Sequence, residues 1–324
     1  MSEVRRRLLQ RLADGGAHPG TAIAAELGVS RAAVAKQVAR LRAVGWDIAS
    51  GPRGYRLSSG QVPLDRRVLE RGLAGLRGRI ASLELLDQVD STSSHLARLA
   101  PVDDGRVQVC IAEDQSAGRG RRGRAWHARP GGSILLSLAA TLPLPPPALA
   151  GLSIAAGVVC AETLIAAGVE GITLKWPNDL LVGDAKLGGI LVEVSGEAAG
   201  PGRVILGIGI NHDLGGADGE PEWPITDVVR SSTPGGIDRS ALAAALIASA
   251  TRLLEDFRHH GLAPYLSRWH GLDGLVERPV RVEGPLGAVE GTALGVAADG
   301  SLRVRTENGE RAFHSGDVSV RRAS

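Results

Sequence analysis

The order of helical and strand patterns in the first 60 residues constrains the fold more than any other feature of this chain. Apolar residues recur at helical spacing in two short segments, which end near residues 12 and 27. A tight turn at Gly28 separates the second segment from Ser30, a favourable N-cap for a third helix that ends near residue 44. Two short strands follow within 46–57. This order predicts a winged helix-turn-helix.

The charge distribution agrees with a DNA-binding head. The first 60 residues contain ten Lys or Arg and four Asp or Glu, a net charge of +6, whereas the rest of the chain carries a net −4. A basic module on a mildly acidic body is typical of a nucleic-acid-binding domain joined to another function. The alternative is a small helical protein-interaction domain with a solvated basic face. The residues expected to contact DNA are Ser30, Arg31, Ala32, Ala35, Lys36, Arg40, Arg53 and Arg56.

Composition places the remainder among ordinary globular proteins. Apolar residues make up 44% and charged residues 22%, which excludes wholesale disorder. The two cysteines cannot form a disulfide framework, so a reducing compartment is favoured. Residues 131–161 carry no formal charge, but prolines at 143 and 145–147 divide them into a strand and a helix that are each too short to cross a bilayer. Without an apolar signal-peptide run, we expect a cytoplasmic protein with no membrane contact.

A run of hydroxyl side chains follows the first predicted strand of the body, which spans residues 80–89. Ser91, Thr92 and Ser93 precede a helix that we expect over residues 95–100. Hydroxyls beside the free N–H groups of a helix N-terminus suit a small polar or anionic ligand. Serine and threonine are also common helix caps, so the run alone does not separate binding from capping.

An arginine loop, residues 118–124 with the sequence GRGRRGR, follows the next predicted strand. It contains G-x-G-x-x-G, but a dinucleotide site needs a helix to begin within that motif, and the following residues to Pro130 cannot continue one. A Walker A loop would need Gly-Lys-Ser/Thr, which is absent. A guanidinium group binds phosphate bidentately through two parallel hydrogen bonds, and glycines let the backbone close over an anion. A nucleotide-phosphate clamp is therefore favoured over an arginine patch for RNA or DNA.

Lysine is rare in this chain, since only Lys36, Lys175 and Lys186 occur among 37 basic residues. Lys175 ends a strand that runs into a Trp-Pro-Asn turn and Asp179, and Lys186 begins the second strand of the next hairpin. Glycines beside Lys186 allow close approach of a flat ligand. Two lysines and a carboxylate within twelve residues indicate a site that needs a point charge for a phosphate or carboxylate. A surface cation in a hairpin is the alternative for Lys186.

Together, these motifs resemble the bifunctional biotin–protein ligases that also repress a biotin operon. The resemblance covers nearly the whole chain and rests on SRAAVAKQV, DSTSS, Gln115 with GRGRRGR and Trp126, KWPNDLLV, the Lys186-Leu-Gly-Gly segment and GIGIN ending at Asn211. It implies an α+β protein with a winged helix-turn-helix (1–62), a central mixed-sheet α/β domain of the biotin/lipoate ligase type (63–270) and a C-terminal SH3-like β-barrel (271–324). Short predicted strands after residue 272, with Asp-Gly and Asn-Gly turns, agree with the barrel; the last is expected over residues 312–320.

The resemblance implies a two-step reaction. The carboxylate of biotin attacks the α-phosphate of Mg-ATP to give biotinyl-5′-adenylate and pyrophosphate, and a lysine of a biotin carboxyl carrier domain then attacks the mixed anhydride. It also implies that the adenylate is a corepressor that favours a homodimer, whose paired heads bind double-stranded operator DNA. Mg²⁺ would arrive with ATP, so no fixed metal site in the protein is expected.

The resemblance assigns the site residue by residue. The catalytic residues would be Lys186, Asp179 and Arg121. Biotin and the adenylate would contact Ser91, Thr92, Ser93, Gln115, Arg119, Gly120, Arg121 and Lys186. The nucleotide would contact Gly118, Arg122, Gly123, Arg124, Trp126, Lys175, Asn178, Asn211 and Arg321. Lys186 would stabilise developing charge, and Asp179 would orient or deprotonate the incoming lysine. Ser93 departs from the family, which more often has Asn there, and this departure is expected to weaken one hydrogen bond to the biotin ureido group without changing the assignment.

Two alternatives come from other classes of protein. A ligand-sensing repressor without catalysis would have no use for Gln115, Lys186 and a full arginine loop. A lipoate ligase of related architecture is disfavoured by the helix-turn-helix head and by GRGRRGR.

Overall fold

The computed structural model describes residues 3–58, 60–102, 105–215, 224–233, 236–284, 287–315 and 319–322. The N-terminal head contains α1 (Glu3–Leu12), α2 (Gly20–Leu27), α3 (Arg31–Ala43) and the hairpin of β1 (Ile48–Gly51) and β2 (Gly54–Leu57). Gly28 has φ +68° at the turn before α3, and the hydroxyl of Ser30 accepts a hydrogen bond from the Ala33 N–H at 3.1 Å. The predicted winged helix-turn-helix is confirmed.

The head has a separate apolar core, because its three helices each bury one stripe. The core residues are Leu8, Leu9, Leu12, Ile23, Ala24, Leu27, Val34, Val38, Leu41, Trp46, Ile48 and Leu57. This arrangement leaves the outer face of α3 for a ligand.

The body is built on one seven-stranded mixed sheet. Its elements are α4 (Arg66–Gly72), β3 (Ile80–Val89), α5 (Thr92–Arg98), β4 (Val107–Gln115), β5 (Ser133–Leu142), α6 (Leu152–Ala166), β6 (Ile172–Lys175), β7 (Asp179–Val182), β8 (Ala185–Ser195), β9 (Gly202–Asn211), α7 (Arg239–His260) and α8 (Ala263–Leu272). Single 3₁₀ turns cover Ala74–Leu76, Arg121–Gly123 and Pro146–Leu149. The strand order is β3-β4-β5-β9-β8-β7-β6, in which only β3 and β4 are parallel.

Alternate residues of the central strands serve the two faces of this sheet. Val109 and Ile111 of β4 belong to the main core with α6 and α7, whereas Cys110 lies in a smaller cluster beneath α5. The segment Pro146–Ala166 is long and apolar enough to cross a membrane, but 61% of its most apolar window is buried inside the protein. The apolar stretch therefore forms the central core helix.

The C-terminal part is a five-stranded antiparallel sheet of β10 (Pro279–Gly284), β11 (Gly287–Val296), β12 (Leu302–Thr306), β13 (Gly309–Phe313) and β14 (Ser319–Arg322). The predicted single strand over 312–320 is wrong, because β13 pairs with β12 while β14 pairs with β10. In the order β13-β12-β11-β10-β14, the described residues of the two edge strands do not pair with each other. Closure into an SH3-like barrel stays a prediction.

Hydrogen bonds from polar side chains join the head and the C-terminal sheet to the body. Gln61 donates to the carbonyls of Gly45 and Pro130, both at 2.9 Å, and accepts from the Asp47 N–H at 2.6 Å. The Trp176 indole N–H donates to the Gly300 carbonyl at 3.0 Å and so ties the C-terminal sheet to the turn between β6 and β7.

Candidate functional site

A cavity of about 660 Å³ lies between the N-terminus of α5, the arginine loop and strands β5, β8 and β9. It gathers segments that are far apart in the sequence. The predicted residues on its wall are Ser91, Thr92, Ser93, Gln115, Arg119, Gly120, Arg121, Arg122, Arg124, Trp126, Lys175, Asn178, Asp179, Lys186 and Asn211. Every residue predicted for catalysis or for biotin is among them, so the structure brings these motifs together.

The hydroxyl run is both a cap and part of the cavity wall. The Ser91 hydroxyl accepts from the Ser94 N–H, and α5 begins at Thr92. The predicted start at residue 95 is therefore wrong, because the cap lies at the beginning of the run and places Thr92 and Ser93 in the first helical turn. The capping interpretation is confirmed, and ligand binding by the run stays a prediction that its place on the cavity wall supports.

The hydrogen bonds at the polar end of the cavity all run in one direction, from Ser93 through Ser137 and Thr92 to Gln115. The Gln115 Oε1 atom accepts from the Thr92 N–H at 2.7 Å and from the Thr92 hydroxyl at 3.1 Å. Since that hydroxyl proton is used, Ser137 donates to Thr92 at 2.7 Å and Ser93 donates to Ser137 at 2.9 Å. This hydroxyl chain, Ser93 to Ser137 to Thr92, fixes the amide of Gln115 with its Nε2 hydrogens left for a ligand oxygen.

Sequence reasoning missed Ser137 and Gly207. Ser137 is fully buried in the apolar strand β5, and the register of the sheet places it directly opposite Gly207 of β9. A Cβ atom at Gly207 would lie 2.8 Å from the Ser93 hydroxyl oxygen, so only glycine leaves room for the hydroxyl chain. The one available signal was a polar residue in the middle of the apolar stretch 134–140.

The indole of Trp126 forms the floor of the cavity and packs against the backbone of Gly189 and Gly209. A Cβ atom at Gly209 would lie 2.7 Å from the indole, and one at Gly189 would lie 3.2 Å from it. The indole N–H is buried and has no hydrogen-bond partner among the described groups. An aromatic surface beside an unused donor suits a flat heterocycle.

The cationic end of the cavity is organised by Lys186. Its ammonium lies 2.7 Å from an oxygen of Asp179 and 5.5 Å from the centre of the Trp126 ring. The Lys186 and Asp179 side chains are 31% and 20% exposed, so the pair is open to a ligand from the cavity side.

The arginine loop is an ordered turn in this structure. The Gly120 N–H donates to the Arg124 carbonyl at 2.7 Å, and Arg122 has φ +56°. Arg119 pairs with Glu193 at 2.9 Å, and Arg121 donates to the Asn178 amide oxygen at 3.3 Å. Burial lowers the pKa of the Arg121 guanidinium, and the nearby Asp179 opposes this shift. Arg119 and Arg121 of the loop are thus held at the cavity by side chains that a ligand can displace.

Several residues that were predicted to contact the nucleotide have structural roles in the backbone around the cavity. Gly118 and Gly123 lie outside the cavity wall; a Cβ atom at Gly118 would lie 2.5 Å from the Trp126 carbonyl oxygen, and Gly123 has φ +71°. The Asn211 amide donates to the carbonyls of Lys186 at 3.3 Å and Thr226 at 3.0 Å, so it clamps the backbone at the rim. Arg321 lies in β14, and its side chain is outside the described part of the structure.

The predicted DNA face is solvent-exposed. All eight residues assigned to it are exposed in the head, while Val34, Val38 and Leu41 point into the core. Ser30 is engaged as the cap of α3, which limits its hydroxyl to a shared role.

Comparison with known proteins matches each part of the chain. The biotin/lipoate A/B protein ligase family model matches residues 86–211, the biotin protein ligase C-terminal domain model matches 276–321, and a helix-turn-helix model matches 4–56. The bifunctional ligase/repressor BirA of Escherichia coli K12 is 36% identical over 321 residues, 98% of this chain and 97% of that protein. The biotin–[acetyl-CoA-carboxylase] ligase of Mycobacterium tuberculosis is 33% identical over 263 residues, 79% of this chain and 95% of that one.

A solved structure agrees with the fold. The biotin protein ligase of Aquifex aeolicus in complex with biotin and ATP aligns with a TM-score of 0.63 at 25% identity, covering 75% of this chain and all of that one. Fold and site therefore define a protein ligase of the biotin/lipoate type joined to a helix-turn-helix head. The identity along the full length narrows the class further. This chain belongs to the family of bifunctional biotin–protein ligase/repressors.

Proposed function

We propose that this protein is an ATP-dependent biotin–protein ligase that forms biotinyl-5′-AMP and transfers biotin to a lysine of a biotin carboxyl carrier domain. We further propose that it binds operator DNA and represses biotin synthesis genes with the adenylate as corepressor. One observation carries the enzymatic part: a single cavity joins an aligned polar end at Gln115 to a cationic end at Lys186, with Trp126 on the floor beside that cation.

In the first step, Lys186 and Arg121 stabilise charge on the reacting phosphate. The ammonium of Lys186 is held by Asp179 in the free enzyme, and an α-phosphate entering the cavity competes for it. Arg121 is held by the neutral Asn178, which an anion displaces readily. Donors that are already in place cost little reorganisation when charge develops.

In the second step, Asp179 receives the incoming lysine. Once Lys186 has transferred its contact to the adenylate, the Asp179 carboxylate is left beside the cavity without its cation. An approaching ammonium group takes that place and gives up a proton to the Asp179 carboxylate. Its nitrogen then attacks the carbonyl carbon of the mixed anhydride, so that the amide bond forms as the bond to the phosphate breaks and AMP leaves. The exchange of partners between Lys186 and Asp179 thus links the two steps.

Mg²⁺ enters with ATP in this proposal. Among the described residues, no group of three or more His, Cys, Asp or Glu side chains could hold a metal ion. Mg²⁺ is often bound through substrate phosphates and one or two carboxylates. Asp179 is the carboxylate on the cavity wall that could join such a site.

The proposal extends to the location, the oligomeric state and the domain limits of the protein. We infer cytoplasmic location, a homodimer when the adenylate is bound, and domain limits at 1–62, 63–270 and 271–324. The separate core of the head and the exposed face of α3 support the first boundary and the DNA contact.

Incubation with labelled biotin, ATP, Mg²⁺ and a biotin carboxyl carrier domain tests the proposal. We expect label on the carrier lysine, pyrophosphate release that requires biotin, and no label with a carrier whose lysine is replaced by arginine. Lipoate transfer in place of biotin would favour the lipoate ligase. Biotin binding without pyrophosphate release would favour a sensor without catalysis.

A further inference from the structure

Helix α5 carries two of the hydroxyls at the polar end of the cavity, yet it is short. It has seven residues, Thr92–Arg98, and helices of this length are not stable by propensity alone. Leu96 is its one fully buried apolar side chain, and it packs on a small cluster with Cys110, Ala139 and Ile205. The position of α5 must therefore be fixed by other contacts.

Arg203 supplies these contacts at the C-terminal end of α5. Its guanidinium donates to the carbonyls of Leu96 at 2.7 Å, Leu99 at 2.8 Å and Ala97 at 3.5 Å. The last carbonyls of a helix lack partners within the helix, and a cation there also interacts favourably with the helix dipole. The Arg203 side chain thus donates hydrogen bonds to three carbonyls at the C-terminal end of α5.

Apart from the bonds of Thr92 and Ser93 at its N-terminal turn, the other polar restraints on α5 are weaker ion pairs. Arg98 makes a paired contact with Asp90, but the two side chains are 56% and 44% exposed. His95 lies 3.1 Å from Glu84, with side chains that are 21% and 35% exposed, and this contact is an ion pair only when the imidazole is protonated. Ion pairs in this setting contribute little, because water screens them.

Arg203 also connects α5 to the strand that shapes its other end. Arg203 is the second residue of β9, and Gly207 on the same strand faces the Ser93 hydroxyl across from Ser137. β9 therefore holds the C-terminal end of α5 through Arg203 and meets its N-terminal turn at Gly207. A shift of the helix would lengthen the bonds of Ser137 to Thr92 and Ser93, which are 2.7 and 2.9 Å.

We propose that Arg203 is a positioning residue for biotin recognition. It does not line the cavity; it fixes α5 against β9 so that Thr92 and Ser93 keep the hydroxyl chain and the orientation of Gln115. This assignment rests on the proposed function, since it takes biotin as the ligand of the polar end. Its loss raises the KM for biotin and leaves the cationic end of the cavity unchanged.

The test compares Arg203→Met and Arg203→Lys with the wild type in the ligation assay. We expect the KM for biotin to rise roughly tenfold in the methionine variant and less in the lysine variant, which retains a cation and its donors. The KM for ATP and kcat should stay within about twofold, because the groups that contact phosphate do not move. Arg268→Met is the matched control, since Arg268 pairs with Glu162 on α6 away from the cavity; it should behave as the wild type.

The outcomes separate the inference from the proposed function. An unchanged KM for biotin in Arg203→Met, or equal changes in both KM values and kcat with a lowered melting temperature, would overturn the positioning role. If the methionine variant does not fold, Arg203→Lys decides by the same comparison. If the wild type shows no biotin-dependent pyrophosphate release, the proposed function fails and the assignment of Arg203 fails with it.

Discussion

Lys186 is a point charge held between two different side chains. Its ammonium is 2.7 Å from Asp179 and 5.5 Å from the Trp126 ring centre, and Gly189 beside it leaves space for a ligand. A guanidinium is wider, planar and more weakly hydrated, so it cannot occupy this position in the same way. The identity of the cation therefore matters as well as its charge.

Lys186→Arg should slow adenylate formation by roughly tenfold to a hundredfold, less than the outright loss of a charge-stabilising donor. Single-turnover pyrophosphate release measures this step. Lys36→Arg is the matched control, since it makes the same change on the exposed face of α3. Equal single-turnover rates for Lys186→Arg and the wild type would remove Lys186 from the first step.

We expect His212 to make the stability of the body depend on pH. Its Nε2 atom donates to the Ile237 carbonyl at 2.8 Å, while Nδ1 is buried with no partner among the described groups. Burial lowers the pKa of this imidazole from its ordinary value of 6.5. The unfolded chain therefore takes up a proton at a higher pH than the folded chain, so stability falls as the pH drops below about 6.5 towards the folded pKa.

His212→Gln should flatten this fall, because the amide can still donate to Ile237 but does not titrate. Urea unfolding near pH 8 and near pH 5 provides the comparison. We expect a smaller loss of unfolding free energy on acidification in the variant than in the wild type. The same loss in both proteins would show that other groups cause the acid sensitivity.

The two thiols should be chemically silent in the folded protein. Burial raises the pKa of Cys110 and of Cys160 to about 12, and thiolates are the reactive form. A chromogenic disulfide reagent at mildly alkaline pH should react with neither cysteine in the native protein and with both in urea. Rapid reaction of one thiol under native conditions would contradict the packing of β4 or α6.

At the scale of single elements, we propose α3 as the helix that reads DNA. Lys36 is exposed on a face made of small side chains, and it is remote in the sequence from the cavity residues. Lys36→Ala should weaken binding to DNA selected by the wild-type protein from a random pool and should reduce the salt slope by about one. Ligation should be unchanged; a matched loss of both activities would mean that Lys36 supports the fold.

Elements with strong local signals were predictable from the sequence. The predicted bounds of β3, residues 80–89, are confirmed, and the cap of α3 follows from Ser30. The start of α5 was misplaced, because a run of four hydroxyl residues offers several possible caps and only packing selects Ser91. The last strand was misplaced for a related reason: residues 312–320 divide between β13 and β14, which pair with different strands.

At the scale of the whole molecule, the site depends on the register between paired strands, which no local sequence pattern predicts. The motifs at Ser91, Gln115 and Lys186 were recognisable along the chain. Ser137 joins them only because β5 pairs with β9 so that Ser137 faces Gly207. Arg203 escaped notice for the same reason, since its partners on α5 are more than 100 residues earlier.

The linker between head and body, residues 60–65, is held by a buried ion pair. Arg239 at the start of α7 donates to Glu113 of β4 and to the Val62 carbonyl, both at 2.7 Å, and to the Ser133 carbonyl at 3.0 Å. The other carboxylate oxygen of Glu113 accepts from the Leu64 N–H. The Arg239 side chain is fully buried, so the pair can hold the linker without competition from water.

Arg239→Met should cost about 3–5 kcal/mol of stability, because it leaves the Glu113 carboxylate buried without a partner. Adding Glu113→Leu should recover much of that loss, since neither charge then remains buried. The linker should stay loose in both proteins, because the Val62 carbonyl has lost Arg239 in each, and in the double variant the Leu64 N–H has also lost Glu113. Hydrogen exchange of the peptide that spans the linker should therefore be faster than in the wild type even where stability is restored. The control is Arg268→Met with Glu162→Leu, an exposed pair. Wild-type exchange in the stable double variant would show that the other contacts of the linker, those of Gln61, of the Val62 N–H with Gly131 and of the Asp65 N–H with Ser240, are enough to hold it.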